Sequence, residues 1–168
     1  MRTGEEYRES LRRMKPNIYL LGEKVESVVD HPMIKPAVNS TAGTFEMAEN
    51  PKTHDLMTIR SPLINKDVNI WTNIDANTDQ VIARHRSLRI GIPKYTCFIR
   101  CMSLCVISPL WAATYECDQE HNTHYHERLV EYTKHVQETD AMVCGALTDA
   151  TQGIGRCAPI NSLTQICM

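Results

Sequence analysis

Apolar residues fall at helical spacing over several stretches of this chain and lose that period between them. Thr3 and Glu6 have the spacing of a capping box, and Tyr7, Leu11 and Met14 then share one face. A helix therefore opens the chain, and Pro16 ends it. From Asn17 to Asp30, Ile18 to Leu21 predict a short extended piece, Gly22 a turn, and Val25, Val28 and Val29 a short buried segment. His31-Pro32 to Lys35-Pro36 reads as a connector, since each proline disfavours helix in the residue before it. Val38, Ala42, Phe45 and Ala48 then predict a helix over Ala37 to Glu49, closed by Asn50-Pro51.

The stretch from His54 to Ile70 reads as a short helix followed by a loop through Ser61-Pro62 and Asn65. Thr78 caps a helix that runs to about Arg89 and stops at Gly91 and Pro93. A long helix follows from about Lys94 to Asp118, with Pro109 inside it to kink or split it. Thr123 starts another helix to about Thr139, with Leu129, Val130, Tyr132 and Val136 inward. Ala141 to Leu147 reads as a strand or extended piece, and Thr148 onwards as loop. The pattern predicts a mostly α fold, with a helical domain over 1–147 and a loop and tail over 148–168.

Composition narrows the function classes. The 168 residues fit one domain with a sizeable core. A net charge of -2 and scarce aromatics give no footprint for nucleic acid. The charged start MRTGEEYRESLRRM is not a secretory signal, and the longest weakly polar run, Met102 to Tyr115, is too short and too polar to span a membrane. Seven cysteines without an export signal argue for reduced thiols in a cytoplasmic protein. All seven lie from Cys97 onwards, which concentrates the candidate chemistry there.

Cys97 and Cys101 are four residues apart on the expected long helix, so both can face one centre. Thiolates suit iron–sulfur clusters or zinc. Spacing alone favours small side chains packed on a core face, with Cys105 one turn further on, because C-x3-C lacks the hairpin geometry of the C-x2-C metal clips. Cys117, His121, His124 and His126 are a weaker zinc candidate, because two imidazoles in H-x-H diverge around a helix. Arg84, His85, Arg86, Arg89 and Lys94 suit phosphate binding or an ordinary solvated face. Thr148, Asp149, Gly153, Gly155 and Arg156 form a loop able to cradle a cofactor, matching neither a Walker A nor a GxGxxG pattern.

Longer stretches carry a resemblance. EEYRESLRR, GEKVESVVDHPMIKPAVN, HDLMT, CFIRC, ATYECDQEHNTHYHERLVEYTKHVQETD and GALTD with Arg156 resemble the N-terminal region of the family that joins 4-hydroxyphenylacetate 3-hydroxylases with 4-hydroxybutyryl-CoA dehydratases. The resemblance runs from near Glu5 to about Pro159. It implies the N-terminal helical domain of an acyl-CoA dehydrogenase-like fold, with a β-domain and a helical bundle following and FAD between them. In the hydroxylase branch an Arg and a Tyr of the long helix, and a His before the T-D loop, engage a phenol. In the dehydratase branch two cysteines four apart hold a [4Fe–4S] cluster. Here the helix carries Cys97 and Cys101, and Cys144 and Gly145 precede Ala146-Leu147-Thr148-Asp149, without the His.

The resemblance thus favours the dehydratase branch. It implies loss of water from 4-hydroxybutyryl-CoA, with vinylacetyl-CoA isomerisation beside it. Cys97 and Cys101 would be metal ligands, and Leu147, Thr148, Asp149 and Arg156 would line FAD. The implied partners are an acyl-CoA substrate and copies of the chain or a missing C-terminal half. The family loop T-D-P-x-G-D-R is here TDATQGIGR, and the tail INSLTQICM departs from the start of the β-domain. The expectation is a fragment inactive by itself. The alternatives are a fragment of a flavin-dependent phenol hydroxylase and a non-catalytic helical module that binds a partner.

Overall fold

The computed structural model describes residues 1–95 and 100–143, with the backbone alone over 101–105. Helix α1 spans Gly4–Met14, and its capping box forms as the sequence predicts: Thr3 Oγ1 accepts from Glu6 N–H, and Glu6 Oε2 accepts from Thr3 N–H. Lys15, in the left-handed region, ends it ahead of Pro16. Strands β1 (Ile18–Leu20) and β2 (Glu23–Val25) pair antiparallel across Leu21-Gly22, both at positive φ. The expected extended piece and turn are therefore a hairpin, and Gly22 supplies the φ of 87° that such a two-residue turn requires.

Helix α2 (Lys35–Glu49) is the centre of the fold. It starts two residues before the expected Ala37, because Pro36 sits in the first turn, where a missing N–H costs nothing. Val38, Ala42, Phe45 and Ala48 are buried as the spacing predicts, but so are Ser40, Thr41, Gly43, Thr44 and Met47. The helix is enclosed on several sides. One apolar cluster joins its Val38, Ala42 and Phe45 to Tyr7, Val25, Val28 and Val29. A second joins Met47 and Ala48 to Met57, Ile70 and Trp71.

Helix α3 (His54–Met57) is the expected short one, but the loop predicted after it is a second antiparallel hairpin, β3 (Thr58–Ser61) with β4 (Lys66–Asn69). Four-residue strands separated by the turn from Pro62 to Asn65 leave too little alternation to read from the sequence. Helix α4 (Thr78–Tyr95) runs through Gly91 and Pro93 instead of stopping near Arg89. A glycine costs a helix only about 1 kcal/mol, which tertiary docking of the last turn can offset. Helix α5 (Cys101–His121) consequently begins seven residues after the expected Lys94, and it stays one helix across Pro109.

Helix α6 (Tyr125–Thr139) starts two residues after Thr123, because its cap comes from α5. Asp118 accepts from the N–H groups of Tyr125 and His126, both at 2.9 Å, and from the Thr123 hydroxyl at 2.6 Å. Burial opposes ionisation of Asp118, yet these hydrogen bonds outweigh it and hold its pKa below the ordinary carboxylate value. The inward face of α6 is centred on Thr133, Val136 and Gln137. Leu129, Val130 and Tyr132 are only partly buried, and only Val136 of the expected four is fully buried. Gln137 accepts from Ser61 Oγ at 2.6 Å and donates to the Thr72 carbonyl at 2.9 Å, so a buried polar bridge joins α6 to β3 and to the turn after β4. Residues 141–143 form no regular element, and the rest of the expected strand to Leu147 lies outside the described residues. No described helix is long and apolar enough to cross a membrane.

Candidate cofactor site

Of the cysteine pair identified in the sequence, Cys97 comes between two anchors that the structure describes, and Cys101 directly follows the second. Cys97 lies outside the described residues, and Cys101 is the first residue of α5, its side chain likewise not described. Tyr95 closes α4 two residues before Cys97, and Arg100 is the N-cap of α5, between the two cysteines in the chain. Both dock on α2.

Tyr95 lies flat against Gly43. A Cβ built at Gly43 would stand 2.5 Å from its ring, so only glycine admits the ring in this position. The Tyr95 hydroxyl donates to Glu46 Oε2 at 3.2 Å, while Glu46 Oε1 accepts from Arg8 Nη2 of α1 at 2.7 Å. Gly43→Ala is therefore expected to push the ring off α2 and break its bond to Glu46. The cost should be about 1–3 kcal/mol, typical of overpacking, and a urea melt would measure it. A melt identical to that of the unsubstituted chain would show that the ring has other room.

Arg100 is fully buried, which a guanidinium tolerates only when paired. Its Nη2 donates to Asp140 Oδ1 in a buried ion pair and to the Ala141 carbonyl at 3.4 Å. Its Cζ lies 4.3 Å from the centroid of the Phe45 ring, a cation–π contact with α2. Burial draws the Arg100 pKa below its ordinary value, and the Asp140 carboxylate opposes that shift. Asp140 itself ends α6 at φ 49°, and its Oδ2 also accepts from Arg2 N–H at 3.1 Å. The head of α5 is thus tied to the end of α6, to the middle of α2 and to the chain start.

The other sequence candidates are distributed elsewhere. Leu147, Thr148, Asp149 and Arg156 lie outside the described residues. His126 Nδ1 is 3.1 Å from Thr114 Oγ1, and its ring meets Trp111 and Tyr115 edge-on. His121 and His124 are exposed beside Glu120 and Glu127, and Cys117 Sγ is 3.8 Å from the Thr123 hydroxyl. These four residues are not gathered into one site, and among the described residues no cluster of three or more His, Cys, Asp or Glu is placed to hold a metal. Within the basic group, Arg84 is paired with Asp75 at 2.7 Å. Burial raises the Asp75 pKa, and Arg84 opposes the rise. The remaining members of the group, His85, Arg86, Arg89 and Lys94, are exposed.

Sequence reasoning passed over Arg100, Asp140 and Tyr95. One signal was present: an arginine inside the apolar run Cys97-Phe98-Ile99-Arg100-Cys101-Met102 must be buried with a partner or displaced from the helix face.

Comparison with known proteins places this arrangement. Residues 3–154 match the family described as 4-hydroxyphenylacetate 3-hydroxylase N terminal. The chain belongs to this family, and its fold is the mostly helical N-terminal domain of an acyl-CoA dehydrogenase-like protein. It is 42% identical over 148 residues to the 4-hydroxybutyryl-CoA dehydratase/vinylacetyl-CoA-Δ-isomerase of Clostridium aminobutyricum, covering 88% of this chain and 30% of that protein. It is 34% identical over 87 residues to the oxygenase component of 4-hydroxyphenylacetate 3-monooxygenase from Geobacillus sp., covering 51% of this chain and 17% of that protein. Among solved structures, an oxygen-tolerant archaeal 4-hydroxybutyryl-CoA dehydratase from N. maritimus superimposes with a TM-score of 0.80 at 32% identity, over 84% of this chain and 28% of its own. The oxygenase component of 4-hydroxyphenylacetate 3-monooxygenase superimposes at 0.73 with 21% identity, over 96% of this chain and 33% of its own, a likeness of fold alone. The chain thus spans about a third or less of the relatives it matches.

Proposed function

We propose that this chain is the N-terminal helical part of an FAD- and [4Fe–4S]-dependent dehydratase that removes water from 4-hydroxybutyryl-CoA. The observation that carries this reading is the 42% identity to the Clostridium dehydratase in a chain with two cysteines four apart, Cys97 and Cys101. In the phenol-hydroxylase branch this helix is expected to carry an Arg and a Tyr for the substrate. The donor chemistry fits: soft thiolates at one-turn spacing suit iron. Cys97 and Cys101 would hold two of the cluster's irons, and Leu147, Thr148, Asp149 and Arg156 would lie along FAD. When bound, the flavin supplies one-electron redox capacity and the cluster a Lewis acid for the leaving hydroxyl. This chain's own part is to hold the ligand-bearing segment between α4 and α5 on a buried frame. The helical domain over 1–147 performs that task, and residues from 148 lead towards the flavin.

The test replaces the corresponding segment of the Clostridium enzyme with residues 1–154 of this chain. The chimera is expected to bind iron and flavin and to form crotonyl-CoA from 4-hydroxybutyryl-CoA. Cys97→Ala and Cys101→Ala in that chimera should each lose the cluster's visible absorbance and most of the iron. Full iron content in both variants would refute the ligand assignment. Hydroxylation of 4-hydroxyphenylacetate with reduced flavin, in place of dehydration, would move the chain to the other branch.

A further inference from the structure

Helix α4 packs one side only. Its inner side sets Ala83 and Leu88 on the second apolar cluster and buries Ser87 and Gly91. Its outer side carries Ile82, Ile90 and Ile92, each between 43% and 46% exposed. A single exposed isoleucine is ordinary. Three on one helix call for a reason, because a β-branched side chain lowers helix propensity and gains nothing from water. Arg86 and Arg89 stand exposed among them, and the one acid of the helix, Asp79, lies back in its first turn. The outer face is therefore apolar and cationic.

Helix α5 presents the converse. It contains no Lys or Arg. Past Pro109 its exposed side is Ala112, Ala113, Glu116, Gln119 and Glu120. Glu116 and Glu120 are four apart, so they lie one above the other and repel across a single turn. The alanines precede them on the same side, and their small side chains leave a shallow floor. Arg86, Arg89 and Glu116 take part in no ion pair among the described residues, and Glu120 meets only the exposed His121, at 3.8 Å. Both faces are open in the same molecule, so neither covers the other.

We propose that these faces meet between two copies of the chain, α4 of each lying on α5 of the other across a two-fold axis. Large side chains on one helix then fill the space over small ones on its partner, as ridges fill grooves. Arg86 and Arg89 face Glu116 and Glu120, which relieves the repulsion along each helix. The two-fold axis makes the contact twice and leaves neither face of either copy open. The pairing needs no flavin or metal and does not rest on the cysteines as ligands.

The test is sedimentation velocity of the full 168-residue chain in reducing buffer, over a range of concentrations. A dimer is expected to form as concentration rises and to weaken as salt is added. One variant carries Arg86→Glu with Arg89→Glu, and another carries Glu116→Arg with Glu120→Arg. Each should dimerise at least about 100-fold more weakly, because like charges then face each other. An equimolar mixture of the two should dimerise again, since both contacts of the mixed pair regain opposite charges. Ala112→Trp raises the floor without touching a charge and should also weaken the dimer; it decides the matter where a charge-reversed chain does not fold. A parent chain still monomeric at about 100 μM overturns the pairing. So does a dimer that survives both reversals, or Ala112→Trp where a reversed chain is unfolded. A mixture of the folded reversed chains that stays monomeric overturns it as well.

Discussion

Asp140→Ala is expected to destabilise the chain by about 3–5 kcal/mol, the usual cost of removing one member of a buried ion pair. Arg100 has no exposed surface through which water could replace the lost carboxylate. Two smaller effects add to the loss. Asp140 sits at φ 49°, where alanine is less tolerated than Asp or Asn, and the Arg2 N–H loses its acceptor. Asp140→Asn separates these contributions, because it keeps the left-handed tolerance and an acceptor oxygen while removing the charge. Urea melts of both variants should show a lowered midpoint with little change in slope. A midpoint for Asp140→Ala within about 1 kcal/mol of the parent chain, the range of exposed ion pairs, would mean that Arg100 reaches solvent or another partner in solution. Against a total stability of about 5–15 kcal/mol, the predicted loss is large enough to lower the folded population at physiological temperature.

The parts of this fold that were legible in the sequence are those governed by local chemistry. The capping box at Thr3 and Glu6, the apolar face of α2 and the short helix after His54 all follow from neighbouring residues. The misread parts were decided by distant ones. Helix α4 passes Gly91 and Pro93 and ends in Tyr95, which packs on Gly43 some fifty positions earlier in the chain. The cap of α6 is Asp118 of the preceding helix, so no residue next to its first turn signals it. The β3–β4 hairpin is held in part by Gln137, whose partner Ser61 lies far away in the chain. The candidate site divides in the same way. The thiol spacing and the family could be read directly. Arg100, Asp140 and Phe45 meet only in three dimensions, and only the lone arginine in an apolar run hinted at them.

Phe45→Ala should rank with Asp140→Ala, at about 3–5 kcal/mol, the usual range for emptying a buried aromatic site. Phe45 is fully buried, its ring stacks on Tyr7 at 5.3 Å, and Arg100 lies over the same ring. The alanine variant therefore leaves a cavity in one apolar cluster and removes the surface that seats the guanidinium. If the two contacts hold Arg100 jointly, their losses will not add. In a double-mutant cycle with Asp140→Asn, Phe45→Leu is the better partner, since it keeps most of the apolar volume and the protein folded. The double variant should be more stable than the sum of the single losses predicts, by about 0.5–3 kcal/mol, because once one contact is gone the guanidinium can shift and the other has less to lose. Strict additivity would show that the cation–π contact and the ion pair act independently. In that event the ring and Asp140 each hold the head of α5 separately.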